Sequence, residues 1–389
     1  MVLHAANSWD SVKFADQHLA EALSRLVPVL YVDPPISLLT PLRRPAARAA
    51  LRSPRLRLLA PGLARLTPLA PPGMERPGMA ALTTRLVRRA MGAAARELVG
   101  PRGRVRALVA CSVLVRTLGA CGEELKVYWA QDDFVGGAEL FGTSAGRIRR
   151  GEARLAAAAE VIVASSPTVA EAWRSRGREP VLIPFGCDAA GFAGTDRASL
   201  PADAAMPGPV AGFVGHLGER IDLRLLEAVA ETGCSLLLVG PRHPRFQLER
   251  MGRLLARPNV RWVGARPFEA LPGYLRAIDV GLVPYADSEF NRGSFPLKTL
   301  EYLAAGRGVV ATDLPAIRWL GTGLIRVAAE PAAFAREVTQ ALGEPRTAEL
   351  AARRRAFAAE HGWDRRAEAF ARALGVPAAQ PSASPPAWP

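Results

Sequence analysis

The sequence predicts an α/β protein with two doubly wound, largely parallel sheets. Three observations carry this expectation. Short apolar runs alternate with stretches of helical periodicity in both halves of the chain. Several of the runs end in glycine shortly before a helix start, and a Gly/Ala/Pro-rich stretch separates the halves. At 389 residues the chain is long enough for two such domains. Its 49% apolar content can fill two cores, although much of that content is alanine, which adds little volume.

In the first half, Val2–Ala6 reads as a strand, Asn7-Ser8-Trp9-Asp10-Ser11 as a loop, and the residues through Leu26 as a helix. Val29–Val32 is the next strand, stopped by Asp33-Pro34-Pro35. From about Leu42 to Arg106 the chain reads as an irregular arginine-rich insert, with 15 arginines against the acids Glu75 and Glu97. Inside it, Met79–Leu98 has helical spacing with Arg85, Arg88, Arg89 and Arg96 on its polar side. Strands resume at Ala107–Cys111, Lys126–Ala130 and Val161–Ser165. Val181–Phe185 leads into Gly186-Cys187-Asp188. In the second half, strands are expected at Val210–Val214, Ser235–Val239, Asn259–Val263, Asp279–Val283 and Val309–Ala311. Helices are expected at Asp222–Glu231, Glu269–Ala277 and Leu297–Ala305. The resulting division is an N-terminal domain over 1–188, a linker over 189–208, a C-terminal domain over 209–375 and a disordered Pro/Ala/Ser-rich tail over 376–389.

The net charge of +14 favours a polyanionic partner: nucleic acid, an anionic membrane surface or a phosphorylated substrate. Nucleic-acid binding would interleave stacking rings with the cations, yet no Phe, Tyr or Trp lies between Leu42 and Arg106, so that class is set aside. No apolar run reaches the ~20 residues of a membrane-spanning helix. The four cysteines, Cys111, Cys121, Cys187 and Cys234, form no C-x-x-C pair, and no cysteine/histidine cluster has zinc spacing. The expectation is a cytoplasmic protein without a metal site. The basic helix at Met79–Leu98 offers a means of peripheral contact with an anionic membrane at its inner face.

Parallel sheets bind ligands at the carboxyl ends of their strands, beside helix N-termini, and three junctions in the second half fit that rule. In Gly212-Phe213-Val214-Gly215-His216-Leu217-Gly218-Glu219-Arg220, glycines at a strand end let backbone amides approach a phosphate, and Arg220 can pair with it. An ordinary strand–helix turn has the same pattern. In Gly293-Ser294-Phe295-Pro296-Leu297-Lys298-Thr299-Leu300-Glu301, Pro296 suits a first helical turn, and the backbone around Ser294, Phe295 and Leu297 forms an anion site. Lys298 there opposes the helix dipole unless an anion lies beside it. Lys298 and Glu301 share one helix face, which also fits a surface ion pair. Val239-Gly240-Pro241-Arg242-His243-Pro244 could seat a base or phosphate, or be a plain loop.

Several stretches together resemble the family-4-like GT-B glycosyltransferases of cell-envelope polysaccharide biosynthesis. They are Asn259–Gly264, Leu271-Pro272-Gly273-Tyr274-Leu275, Asp279–Tyr285, and Pro296-Leu297-Lys298 through Glu301 and Gly306 to Thr312. In the first half, Trp9-Asp10, Tyr31–Pro35, Tyr128 to Asp132-Asp133-Phe134 and Pro184–Asp188 are similar to the layout of that family. The resemblance implies two Rossmann-like domains facing a cleft. It assigns Glu301 to the nucleotide ribose, Arg220 and Lys298 to the diphosphate, and the backbone around Phe295–Leu297 to the same group. The strand-end junctions themselves add Gly215, His216 and Gly240 as residues expected to line the site, although a lone histidine such as His216 is more often structural. The family's second glutamate, eight positions earlier, is replaced here by Gly293, which leaves the donor sugar open. Asp133 becomes the candidate for orienting the acceptor, or the base if the reaction inverts; a loop-capping role fits it as well. The implied reaction moves a sugar from a nucleotide-sugar donor (a UDP-sugar favoured, a GDP-sugar also fitting) to a glycan or lipid-linked hydroxyl, with retention and without a metal or other cofactor. Rival readings are a nucleotide-sugar 2-epimerase on the same scaffold, a non-enzymatic polyanion binder and an inactive partner subunit.

Overall fold

The computed structural model describes residues 1–39, 54–74, 76, 78–140, 142–376 and 388. Contacts divide the chain into two compact units. The first holds Met1–Ser165, Val169–Pro184 and the segment from Arg366 onward; the second holds Ser166–Thr168 and Phe185–Arg365.

The first unit contains strands β1 (Val2–His4), β2 (Val29–Val32), β3 (Ile36–Ser37), β4 (Leu56–Ala60), β5 (Leu63–Leu66), β6 (Leu69–Ala70), β7 (Ala107–Ala110), β8 (Leu125–Ala130), β9 (Val161–Ala164) and β10 (Val181–Leu182). Its helices are α1 (Ala15–Leu23), α2 (Met79–Val99), α3 (Ala145–Ala158) and α4 (Pro167–Arg174). Eight strands form one sheet in the order β10-β9-β8-β7-β1-β2-β5-β4; all neighbours are parallel except β4 and β5. Helix-covered parallel strands are buried on both faces and so read as unbroken apolar runs, as Val29–Val32 and Ala107–Ala110 do. One core cluster joins Val2, Leu30, Leu108, Tyr128 and Ile162 to Val87 and Met91 of α2 and Trp173 of α4.

The second unit opens with α5 (Ala189–Ala193) and continues through β11 (Val210–Val214), α6 (Leu223–Glu231), β12 (Ser235–Val239), α7 (Leu248–Leu255), β13 (Val260–Trp262), α8 (Leu271–Ala277), β14 (Val280–Val283), α9 (Glu289–Gly293), α10 (Leu297–Ala304), β15 (Gly308–Ala311), α11 (Pro315–Leu320), β16 (Ile325–Val327), α12 (Pro331–Gly343) and α13 (Ala348–Glu360). The last helix, α14 (Trp363–Ala373), crosses into the first unit. The six strands are all parallel, in the order β13-β12-β11-β14-β15-β16. That order reverses direction between β11 and β14, the topological switch point of a doubly wound sheet. Asp222 caps α6 by accepting the Arg224 N–H at 3.0 Å.

The structure departs from the sequence expectations in three places. The stretch expected as a linker over 189–208 holds α5 and two 3₁₀ turns, Thr195–Arg197 and Ala202–Ala204. Phe192 packs on Phe268 at 5.5 Å, and Asp196 binds the buried Arg307 at 2.6 Å and also Arg355, so the stretch is docked on the second unit. The segment from Arg366 groups with the first unit rather than the second, where Phe370 meets the Trp129 ring at 5.1 Å. The arginine-rich insert is not irregular, since it carries β4, β5, β6 and α2. Its Arg65 is 1% exposed, with Nε donating to Asp33 at 2.7 Å and the terminal nitrogens bidentate on Asp10 at 2.8 and 2.7 Å. That arginine is a structural cation and faces no polyanion. Its insert neighbours 42–53 and most of the expected tail lie outside the described residues. Among the described residues no helix is long and apolar enough to cross a membrane.

Candidate functional site

The site is built at the switch point of the second unit, from the loops that follow β11 and β14. These loops are tied together by backbone bonds. Asp222 donates to the Pro284 carbonyl at 2.9 Å, Ala286 donates to the Arg220 carbonyl at 2.9 Å, and Ile221 forms an isolated antiparallel bridge with Tyr285. The loop after β12 joins the β11 loop: the Gly215 N–H donates to the Val239 carbonyl at 2.8 Å, and Leu217 donates to the Pro241 carbonyl at 2.9 Å. Gly240 has φ 137°, a region that suits glycine, and a Cβ there would lie 1.9 Å from the Gly215 carbonyl oxygen. The glycines at the ends of β11 and β12 therefore permit a close backbone crossing. His216 stands exposed beside it.

Arg220 is the most tightly held cation in this region. Its Nε donates to Asn291 Oδ1 at 2.9 Å and a terminal nitrogen donates to Ser294 Oγ at 2.7 Å. Its guanidinium lies between two rings, 4.7 Å from the Tyr285 centroid and 4.9 Å from that of Phe290. Asn291 is fully buried and returns two bonds from Nδ2, to the Arg220 carbonyl at 2.9 Å and the Ala286 carbonyl at 2.8 Å. All these partners are neutral, and among the described residues no carboxylate forms an ion pair with Arg220. A guanidinium has five N–H donors; the two bonds above leave three to meet an anion. The rings fix the plane of the fork, and each cation–π contact stabilises it by about 0.5–2 kcal/mol.

The chain runs from Ser294 through Phe295 into α10, and Pro296 occupies its N-cap position without a side-chain cap bond. Thr299 donates to the Pro296 carbonyl at 3.1 Å, which leaves the Leu297 and Lys298 amides of the first turn for a ligand or water. Tyr302 fixes the helix on the sheet: its hydroxyl accepts the Val214 N–H at 2.8 Å, and a Cβ on Gly281 would lie 2.2 Å from its ring. Only a glycine on β14 admits that ring. Phe295 is buried, with its ring edge-on to Trp319 at 6.1 Å.

Lys298 and Glu301 do come together, with Nζ–Oε2 at 2.6 Å and Glu301 nearly buried. This corrects one inference. The anion called for beside Lys298 at the positive end of the helix is supplied by the protein itself, as Glu301, so the placement of Lys298 does not by itself demand a bound ligand. Asp133 lies in the first unit, where its Oδ1 accepts the Gly136 N–H at 2.9 Å, the loop-capping geometry. At Gly293, the carbonyl accepts the Ser166 hydroxyl at 2.5 Å.

Sequence reasoning missed Asn291, the residue that positions Arg220, and also the paired rings and the Tyr302 tether. An isolated asparagine between Phe290 and Arg292 gives no periodic signal. The fixed spacing of Gly281 and Tyr302 could have been read only with the sheet register in hand.

Residues 208–344 match the family model described as glycosyl transferases group 1. A protein of Bacillus subtilis (strain 168) named as a teichuronic acid biosynthesis glycosyltransferase, TuaH, is 37% identical over 110 residues; this aligned stretch spans 28% of the present chain and 28% of that relative. Among solved structures, sucrose-phosphate synthase from Thermosynechococcus elongatus aligns with TM-score 0.69 at 18% identity, covering 96% of this chain and 98% of that one. HepE from Anabaena, solved in complex with UDP and glucose, aligns with TM-score 0.68 at 16% identity over 96% of this chain and 99% of that one. An E. coli trehalose-6-phosphate structure bound with UDP-2-fluoro glucose gives TM-score 0.69 at 12% identity over 96% and 98%. The shared fold is GT-B, with two doubly wound units.

Proposed function

We propose that this chain, whose residues 208–344 carry a glycosyl transferases group 1 segment on a GT-B scaffold, moves a sugar from a nucleotide-diphosphate sugar to a hydroxyl acceptor. The observation that carries the reading is Arg220, an arginine at the switch point held by Asn291, Ser294 and two aromatic faces with no carboxylate partner among the described residues. A cation so fixed suits a group that acquires negative charge during reaction, because it need not reorganise as that charge develops.

In this reading the diphosphate leaves as the sugar passes through an oxocarbenium-like state. Arg220 and the first-turn amides of α10 meet the departing charge. Lys298, with one of its three donors committed to Glu301, offers the remaining two to the same group. Glu301 holds the nucleotide ribose. Gly215, His216 and Gly240 border the nucleotide at the ends of β11 and β12. The solved structures that align over nearly the whole chain include complexes with UDP and with a UDP-sugar analogue, which favours a UDP-sugar as donor. The charge on the leaving group is met by side chains, which fits a metal-independent transfer, and the family resemblance favours retention. Asp133 is the candidate for orienting the acceptor, a glycan or lipid-linked hydroxyl in the setting of cell-envelope polysaccharide synthesis.

Turnover of a panel of UDP- and GDP-sugars tests the proposal. Wild-type protein is expected to hydrolyse or transfer from at least one UDP-sugar. Arg220→Ala should lower kcat/KM by roughly 100- to 1,000-fold, the range seen when one fixed transition-state donor is removed. Arg220→Lys should recover little of this, since a lysine neither spans Asn291 and Ser294 nor stacks between two rings as a plane. Turnover unchanged in Arg220→Ala would refute the assignment.

A further inference from the structure

The exposed face of α2 mixes two chemistries rarely left together in water. Leu82 and Leu86, one helical turn apart, are 42% and 41% exposed. Arg85 and Arg89 are exposed beside them, and Arg96 continues the row two turns on. Among the described residues these three arginines have no ion-pair partner. The opposite face is committed to the core through Thr83, Val87, Met91, Ala94 and Ala95. The contrast with other arginines of the same region is sharp. Arg65 is buried on Asp33 and Asp10, Arg88 donates to the Leu118 and Gly119 carbonyls at 2.6 and 3.0 Å, and Arg106 pairs with Glu124 at 2.7 Å. Among the described residues, Arg65, Arg88 and Arg106 are thus engaged by the fold, while Arg85, Arg89 and Arg96 are not. No aromatic ring lies on α2 to stack against nucleic-acid bases.

We propose that the outer face of α2 docks on an anionic lipid bilayer, with Leu82 and Leu86 entering the interface and Arg85, Arg89 and Arg96 meeting lipid phosphates. Charge complementarity selects an anionic surface. The interleaved leucines select a bilayer over a soluble polyanion, which would gain nothing from them. This deepens the reading of the acceptor as lipid-linked, and it is tested without any turnover measurement.

The test is co-sedimentation of the full chain with phosphatidylcholine vesicles and with mixed phosphatidylcholine–phosphatidylglycerol vesicles, at low and high salt. UDP binding and thermal melting of each variant are followed in parallel. The expected result is binding to the anionic vesicles alone, weakened by salt because exposed charges are screened. Arg85→Glu/Arg89→Glu should reduce the bound fraction roughly tenfold or more, since each basic residue adds appreciably to attraction for an anionic surface. Leu82→Ser/Leu86→Ser should reduce it several-fold at unchanged net charge, while melting and UDP binding hold. Absence of binding to anionic vesicles overturns the proposal. So does binding indifferent to both double variants, binding lost with the arginines but untouched by the leucines, or equal retention on single-stranded RNA. A protein that binds the vesicles but no nucleotide would leave the membrane surface standing and overturn the glycosyltransferase reading alone.

Discussion

His4 sits at the end of β1 with no exposed surface, its Nδ1 3.0 Å from the Thr117 hydroxyl and its Nε2 without a partner among the described residues. Burial pushes its pKa down from 6.5 to about 4. The folded protein therefore binds fewer protons than the unfolded chain between these two values. Stability from this residue is complete above pH 6.5, falls as pH drops toward 4, and is level below that. The loss amounts to about 3 kcal/mol across the window, at 1.36 kcal/mol per pKa unit. Urea denaturation at several pH values should show that slope, and His4→Gln, which cannot take a proton, should flatten it. At this scale the sequence was only partly legible. Arg65 and Arg220 are the same residue type, yet the first is neutralised by Asp33 and Asp10 while the second is held by uncharged groups. The difference lies in partners 32 to 74 positions away, beyond the reach of any local pattern. Asn291 was missed for the same reason.

The elements were more legible than the side chains. Strands buried on both faces and amphipathic helices write their periods locally, so β11, β12, β14 and α6 stand within a residue of the expected positions. The elements after Thr312 carry weaker signals: α13 is rich in alanine and arginine and buries only Arg354 and Ala358 along its length, so it lacks an apolar stripe to read. β4 and β5 escaped because arginines inside an apolar run masked short strands, and β6 because its two residues lie between prolines. The fit of α10 to the sheet gives a prediction. Gly281→Ala places a Cβ 2.2 Å from the Tyr302 ring and strains the bond from Val214 N–H to its hydroxyl. Overpacking of this kind costs about 1–3 kcal/mol. Gly323→Ala, where an added Cβ meets nothing within 4 Å, should stay within about 0.5 kcal/mol. Chemical denaturation of the two variants checks the pair. Equal stability would show that the Tyr302–Gly281 contact does not hold α10 in place.

On the scale of the whole molecule, two doubly wound units could be read from the alternation of strands and helices, but not their sequence boundaries. The chain leaves the first unit at Pro184 and returns at Arg366, so the closing helix of the second half completes the first core. A return of that kind leaves no mark in composition. The stretch over 189–208 looked like a linker because it is rich in small residues, yet Asp196 and Phe192 dock it on the second unit. The switch point of the second sheet is where these levels meet: the strand order brings the β11 and β14 loops together, and they in turn fix one guanidinium.

Calorimetric titration with UDP tests the claim that this guanidinium and the start of α10 receive a nucleotide diphosphate. Wild-type protein is predicted to bind UDP. Arg220→Ala and Lys298→Ala should each weaken that binding by roughly 10- to 100-fold, the span expected for losing a charge-assisted contact, while Asp133→Asn in the first unit should leave it unchanged. UDP affinity that is the same in wild type, Arg220→Ala and Lys298→Ala would contradict the account.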